Sequence, residues 1–253
     1  MDKNTCIEFW LRLKEKIPKF EKLDDAEVVF GARTRGSGHN YKILPVVTDQ
    51  EISAFEKNNG FELPLEYKTY IKTFGAGGAG PYYGISDFRK QVLPSQFLDP
   101  FPYSETVEFT DETEDDDPIW DYPGLAFIGE YGCGTEFLIE LNGTCPGTIW
   151  CNGSYACSKI GTFMEFYQQW VNKVEVGLER YQLLKSLRAQ KMYSLETIIE
   201  TMQCRFNEQT TADRSCVPES EIWIHFEKTP GRVVVNEKKE VLRINIYDRN
   251  SIV

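Results

Sequence analysis

Histidine is nearly absent from this sequence, with two in 253 residues, and no H-x-x-x-H, G-x-S-x-G or paired metal motif occurs. No apolar run approaches the roughly 20 residues that a membrane helix needs. The opening residues, MDKNTCIEFWLRLKEKIPKF, carry charges throughout an amphipathic pattern and do not read as a secretory signal. The expectation is a cytoplasmic protein with no membrane partner. Seven cysteines, an odd number without a signal, favour reduced and mostly packed thiols over a disulfide framework. The pI near 4.9 excludes nucleic acid as the main partner, because phosphates need a basic surface.

Basic residues are missing altogether from one stretch. Residues 105–121 hold nine carboxylates and not one Lys or Arg. The whole chain has 39 acidic and 28 basic residues, a net charge of −11; without these nine the balance is 30 against 28. Almost all the net charge therefore sits in seventeen residues.

What is present suits a folded chain. Apolar content of 41% with 13% aromatics is enough for a sizeable core. Residues 4–17 read as a helix with Ile7, Trp10, Leu11 and Ile17 near one face. The span 27–44 reads as strand, glycine-rich loop, then extended chain. Thr48 and Glu51 have capping-box spacing before a helix that Gly60 ends. Pro64 fits the first position of a second helix, lined by Tyr67, Tyr70, Ile71 and Phe74 and ended by Gly75. After a loop-rich section to about 123, the segments 125–130, 135–141 and 147–151 form an antiparallel meander. In the second of these, Phe137, Ile139 and Leu141 alternate against outward Glu136 and Glu140. A long helix begins near 162, Ser194 caps another, 207–220 reads as loop, and three strands follow. The domain boundary falls between 175 and 220.

The chemical motifs fail on context. GAGGAG at 75–80 matches G-x-G-x-x-G, but a helix precedes it and none clearly follows, so it reads as a tight helix exit. GARTRGS at 31–37 lacks the lysine of a P-loop. Cys133, Cys145, Cys151 and Cys157 lack zinc-pair spacing and read as packed side chains. His39 in a loop and His225 on a strand have no evident nucleophile partner. Counted from Asp111, the acidic run has Asp116 where an EF-hand needs Gly, and Tyr122 where it needs Glu. The expectations are no catalytic residue, no metal site and no cofactor. The acidic run is either a solvated loop or a contact surface. Phe109, Ile119 and Trp120 beside the charges favour contact, since charge speeds encounter and buried aromatics slow release.

Several stretches, in order, resemble the SUKH superfamily, the Smi/Knr-like group that includes many bacterial immunity proteins. They are FGA at 30–32, HNYKILP at 39–45, EISAFEKNNGFELPLEYKTYI at 51–71 and GGAGPYYGI at 77–85. LAFIGEYGCG at 125–134, GTIWCNG at 147–153 and FMEFYQQWV at 163–171 follow. The resemblance implies an α+β fold, mainly antiparallel sheet packed with helices, over 1–178. Residues 179–253 would be a small C-terminal helical and β-strand extension of unassigned role. The family implies no active site. It implies an immunity role, with a cognate toxin domain as partner, and a nuclease, whose cleft is basic, is the toxin that matches the charge. The candidate partner-binding residues are Glu105, Glu108, Phe109, Asp111, Glu112, Glu114, Asp115, Asp116, Asp117, Trp120 and Asp121. The second expectation is a non-enzymatic scaffold for cell-wall or signalling partners.

Overall fold

The computed structural model describes residues 2–91, 93, 95–109, 123–190, 194–215 and 217–246. These fall into two compact units, the first Met1–Lys19 with Gly31–Val171, the second Phe20–Phe30 with Asn172–Val253. The fold is α+β with two antiparallel sheets. The division between Val171 and Asn172 lies inside one long helix, α5 (Phe163–Ala189), which also contains residue 178, where the sequence boundary was drawn.

In the first unit, α1 (Lys3–Lys14) starts at Asp2, whose carboxylate accepts the N–H groups of Asn4 and Thr5. The helix expected over 4–17 stops earlier, and Ile17 opens α2 (Ile17–Leu23) instead. Trp10 on α1 is fully buried. Its ring meets Tyr70 at 4.9 Å, Phe163 and Tyr167 at 5.4 Å, and Phe74 at 6.2 Å. Its indole N–H donates to the Glu66 carbonyl at 3.1 Å, so no polar atom of the ring is stranded.

The capping box forms as spaced. Thr48 and Glu51 exchange hydrogen bonds at the start of α3 (Asp49–Asn59), and Gly60 closes it in the left-handed region at φ 74°. Glu51 also takes the Arg89 guanidinium at 2.7 Å, while Arg89 donates to the carbonyls of Pro45 and Val46. Pro64 stands just before α4 (Leu65–Thr73), with extended ψ of 138°, one place earlier than expected. The glycine-rich exit from α4 makes close backbone contacts. Gly78 at φ +98° bridges Ile43 and Ile85, and a Cβ there would lie 2.2 Å from the Lys42 carbonyl oxygen. The strand expected within 27–44 does not form. The chain turns at Asp25 and Ala26 instead and makes only an isolated bridge at Val29, with the Val28 N–H donating to buried Asp24 at 2.6 Å.

The sheet of this unit has strand order β1-β5-β4-β3-β2. The strands are β1 (Val107–Glu108), β2 (Leu125–Gly132), β3 (Thr135–Glu140), β4 (Thr148–Asn152) and β5 (Ala156–Thr162). The expected meander is β2 to β4, and β1 and β5 extend it. One face packs on α5, where Phe166 lies 4.8 Å from Phe137. On the other, Leu125, Leu138, Trp150 and Cys157 form a cluster with Phe101, flanked by Tyr103, Val107 and Phe109.

In the second unit, β6 (Thr210–Asp213), β7 (Ile222–Phe226), β8 (Gly231–Val235) and β9 (Val241–Ile246) form a sheet in sequence order. β6 lies in the span read as loop. Phe226, Val233, Val235 and Ile244 pack with Leu184 and Leu187 of α5 and with Leu195, Ile198 and Met202 of α6 (Leu195–Phe206). Asp25 is held by Tyr181 and Lys185. Glu208 is buried and ion-paired to Arg180 at 3.1 Å, and it also accepts from the Lys228 N–H at 2.5 Å and the Thr229 hydroxyl at 2.7 Å.

Breaking a buried ion pair from one side strands the other charge, at a cost of about 3–5 kcal/mol. Glu208→Ala should therefore destabilise the second unit by about that much, read as lost hydrogen-exchange protection in β7 and β8. A loss below about 1 kcal/mol would assign Glu208 to the surface class of ion pairs.

Candidate functional site

Three of the candidate partner-binding residues are described. Glu108 lies in β1, opposite Ala156, with Val107 opposite Cys157, so this two-residue strand forms the edge of the sheet. The Phe109 N–H donates to the Tyr155 carbonyl at 2.9 Å, and its ring packs on the Trp150 cluster. Tyr155 is 86% exposed beside it, an aromatic that the charge pattern did not single out. Glu105 reaches Lys159 at 3.6 Å but is 83% exposed, so this pair is worth at most about 1 kcal/mol. Lys159 is further tied to the Ser104 carbonyl at 2.6 Å. Asp111, Glu112, Glu114, Asp115, Asp116, Asp117, Trp120 and Asp121 lie outside the described residues, as does Ile119. The strands that flank this segment in sequence, β1 and β2, occupy opposite edges of the sheet.

Beneath Phe109, the sheet holds a carboxyl group that the alternation of β3 placed on the solvent side. Glu140 is fully buried. Its Oε1 accepts the Cys145 N–H at 2.5 Å, and its Oε2 accepts the Trp150 indole N–H at 3.1 Å. The alternation rule assumes one wet face, and here the segment around Phe101 covers that end of the second face. Burial raises the Glu140 pKa above the ordinary carboxylate value, and the two N–H donors pull it back only in part. Glu140 thus fixes the indole against which Phe101 packs at 4.8 Å.

The remaining chemistry-bearing groups serve the fold. His39 is buried, with Nδ1 accepting the Tyr41 N–H at 2.9 Å and its ring edge-on to Tyr41 and Trp170. His225 lies in β7 beside Trp223. Cys157 and Cys6 are buried, whereas Cys133 and Cys204 are exposed. A cavity of about 440 Å³ is lined by Phe9, Met164, Glu66 and Glu165 among others. Both carboxylates are engaged at the start of α5: Glu66 accepts the Met164 N–H at 3.0 Å and Glu165 the Thr162 N–H at 2.8 Å. Among the described residues, no group of three His, Cys, Asp or Glu stands close enough to hold a metal, and no helix is long and apolar enough to cross a membrane.

Residues 46–171 match the SMI1 / KNR4 family (SUKH-1). The match takes in α3, α4 and β1 to β5, and it ends on the last residue of the first unit. No curated protein and no solved structure matches the chain.

Burial, with the nearby Arg33 charge, lowers the His39 pKa from 6.5 to about 4. Folding therefore favours the neutral ring. The stability this contributes is complete above pH 6.5 and is lost as pH falls towards 4, in total about 3 kcal/mol. Urea unfolding should show the parent losing about that much more than His39→Asn between pH 7 and pH 4. Parallel pH profiles would mean that the imidazole titrates alike in both states.

Proposed function

We propose that this member of the SMI1 / KNR4 family (SUKH-1) is a bacterial immunity protein, which binds a cognate toxin domain in the cytoplasm and neutralises it by occlusion. The family is commonly one of immunity proteins and is known to bind toxin partners. The observation that carries the reading to this chain is the placement of its charge. Nine carboxylates occupy residues 105–121, and the segment continues from an edge strand, β1, with Phe109 just after it packed on the Trp150 cluster. A concentrated negative field speeds encounter with a cationic surface, and a rigid aromatic base limits the motion lost on docking. A toxin that acts on nucleic acid has a cleft built to attract phosphate, and an acidic segment competes for the same cleft. Inhibition of this kind needs no turnover, and its stoichiometry is one to one.

A scaffold role for cell-wall or signalling partners is the second reading. It is favoured by the second unit, which lies outside the family match and offers a surface of its own. An adjacent gene for a large secreted protein with a variable C-terminal domain separates the two, since only the immunity reading calls for it.

Co-expression with that domain tests the proposal directly, as protection of the host and as a complex that survives purification. Changing Asp115, Asp116 and Asp117 together to Asn should slow association at low salt by about fivefold or more and flatten its salt dependence, with dissociation little changed. Association as fast as the parent's in low salt removes the acidic segment from the steering role.

A further inference from the structure

The cavity of about 440 Å³ lies wholly within the first unit, beside α1, α4 and the start of α5. Half-buried Phe9 and buried Met164 give it apolar walls. Gln169 and the carboxylates of Glu66 and Glu165 are among its few polar groups. Small-molecule sites have this make-up: about 300–1,000 Å³, mostly apolar, with a few polar groups that orient the ligand.

The start of a helix ordinarily draws an anion, through N–H groups that lack an intrahelical partner. At α5 the first three are already taken. The Phe163 N–H donates to the Gly147 carbonyl at 3.2 Å, the Met164 N–H to Glu66 Oε2 at 3.0 Å and the Glu165 N–H to the Thr162 hydroxyl at 3.3 Å. An anion entering here would face two carboxylates instead. A cation meets the reverse situation. Glu66 commits Oε2 to Met164, and Glu165 commits Oε2 to the Thr162 N–H at 2.8 Å. A carboxylate has about four lone-pair positions, so each retains an oxygen able to accept. Among the described residues, no ion pair reaches either carboxylate. Arg12, the cation on this side of α1, donates to Gln168 at 3.2 Å and lies 5.4 Å from the Phe9 ring centre.

We propose that this cavity binds a small aliphatic amine, its hydrocarbon chain between Phe9 and Met164 and its ammonium on the Oε1 atoms of Glu66 and Glu165. The site is separate from residues 105–121, and it stands whether or not the immunity role does. An amphipathic cation sits well in such a place, with its stem along apolar surface and its head at the polar rim. Each bond from ammonium to carboxylate is charge-assisted and about twice as strong as a neutral one. An alcohol of the same length meets the same walls but brings only a neutral donor, and a carboxylate of that length is repelled.

The test titrates the full, isotope-labelled chain with n-hexylamine, n-hexanol and n-hexanoate, three probes of one chain length, followed by NMR of the Met164 methyl and of the amides of Phe9 and residues 162–169. At pH 7 the amine is cationic. Saturable shifts are expected, with hexylamine bound about tenfold more tightly than hexanol and hexanoate weakest of the three. The double variant Glu66→Gln, Glu165→Gln keeps an acceptor oxygen for each helix N–H and removes both charges. It should bring hexylamine and hexanol to within about twofold of each other and leave hexanol bound as by the parent. Glu165→Gln alone should cut the preference about threefold, and it replaces the double variant if that does not fold. Gln169→Trp, at an exposed lining position, should fill part of the cavity and weaken both probes about fourfold, the worth of one buried methylene. Equal binding of amine and alcohol by the parent, a preference for the amine that survives loss of the charges, or shifts centred away from the cavity would each overturn the proposal.

Discussion

Trp10 touches rings from two other helices at once, and its single polar atom is taken by the Glu66 carbonyl. Edge-on aromatic pairs of this kind add about 0.5–1.5 kcal/mol each beyond the area they bury. The arrangement fixes three helical segments around one side chain. Tyr67, Tyr70 and Phe74 of the α4 region and Phe163 and Tyr167 of α5 are then held at set heights. Tyr167 passes the constraint on, since its hydroxyl donates to the Ala79 carbonyl at 2.5 Å and ties α5 to the glycine-rich exit of α4. The sheet packs on the same helix through Phe137 and Phe166.

The opposite side of that sheet obeys a different constraint. Its buried end is built around a carboxyl group, Glu140, whose two oxygens each receive an N–H. A polar group at that depth is tolerable only when fully bonded, so the loop bearing Cys145 and the indole of Trp150 hold one geometry. Phe109 rests on this assembly, and the acidic segment of the proposed toxin contact begins there. The proposed steering charge thus issues from one of the most over-determined parts of the unit.

Local signals survived translation into structure where one side chain decides the outcome. Thr48, Glu51 and Gly60 make their caps, Ser194 caps α6, and the periodicity from Phe163 onward marks α5. Elements that depend on distant neighbours were not legible. ACSKIGT shows no clean alternation of apolar and polar residues, yet it is β5, held by β4 on one side and β1 on the other, with a register shift opposite Ile149 and Trp150. TTAD is β6 only because β7 lies beside it. Glu140 alternates as a solvent-facing residue and is buried because residues far off in sequence cover it. For the candidate site, the concentration of charge was plain from composition, as were Glu105, Glu108 and Phe109.

The second unit is assembled from two separated parts of the chain, Phe20–Phe30 and Asn172–Val253. During synthesis the earlier part leaves the ribosome well before Tyr181 and Lys185, the residues that hold Asp25. At about 5–20 residues per second, the wait is roughly 10–30 s. For that interval Asp25 has neither of the partners that fix it, and a nascent polypeptide stalled or cleaved near residue 171 would leave it so permanently. Quality control by chaperones and proteases would then read this untethered segment as the mark of an unfinished molecule.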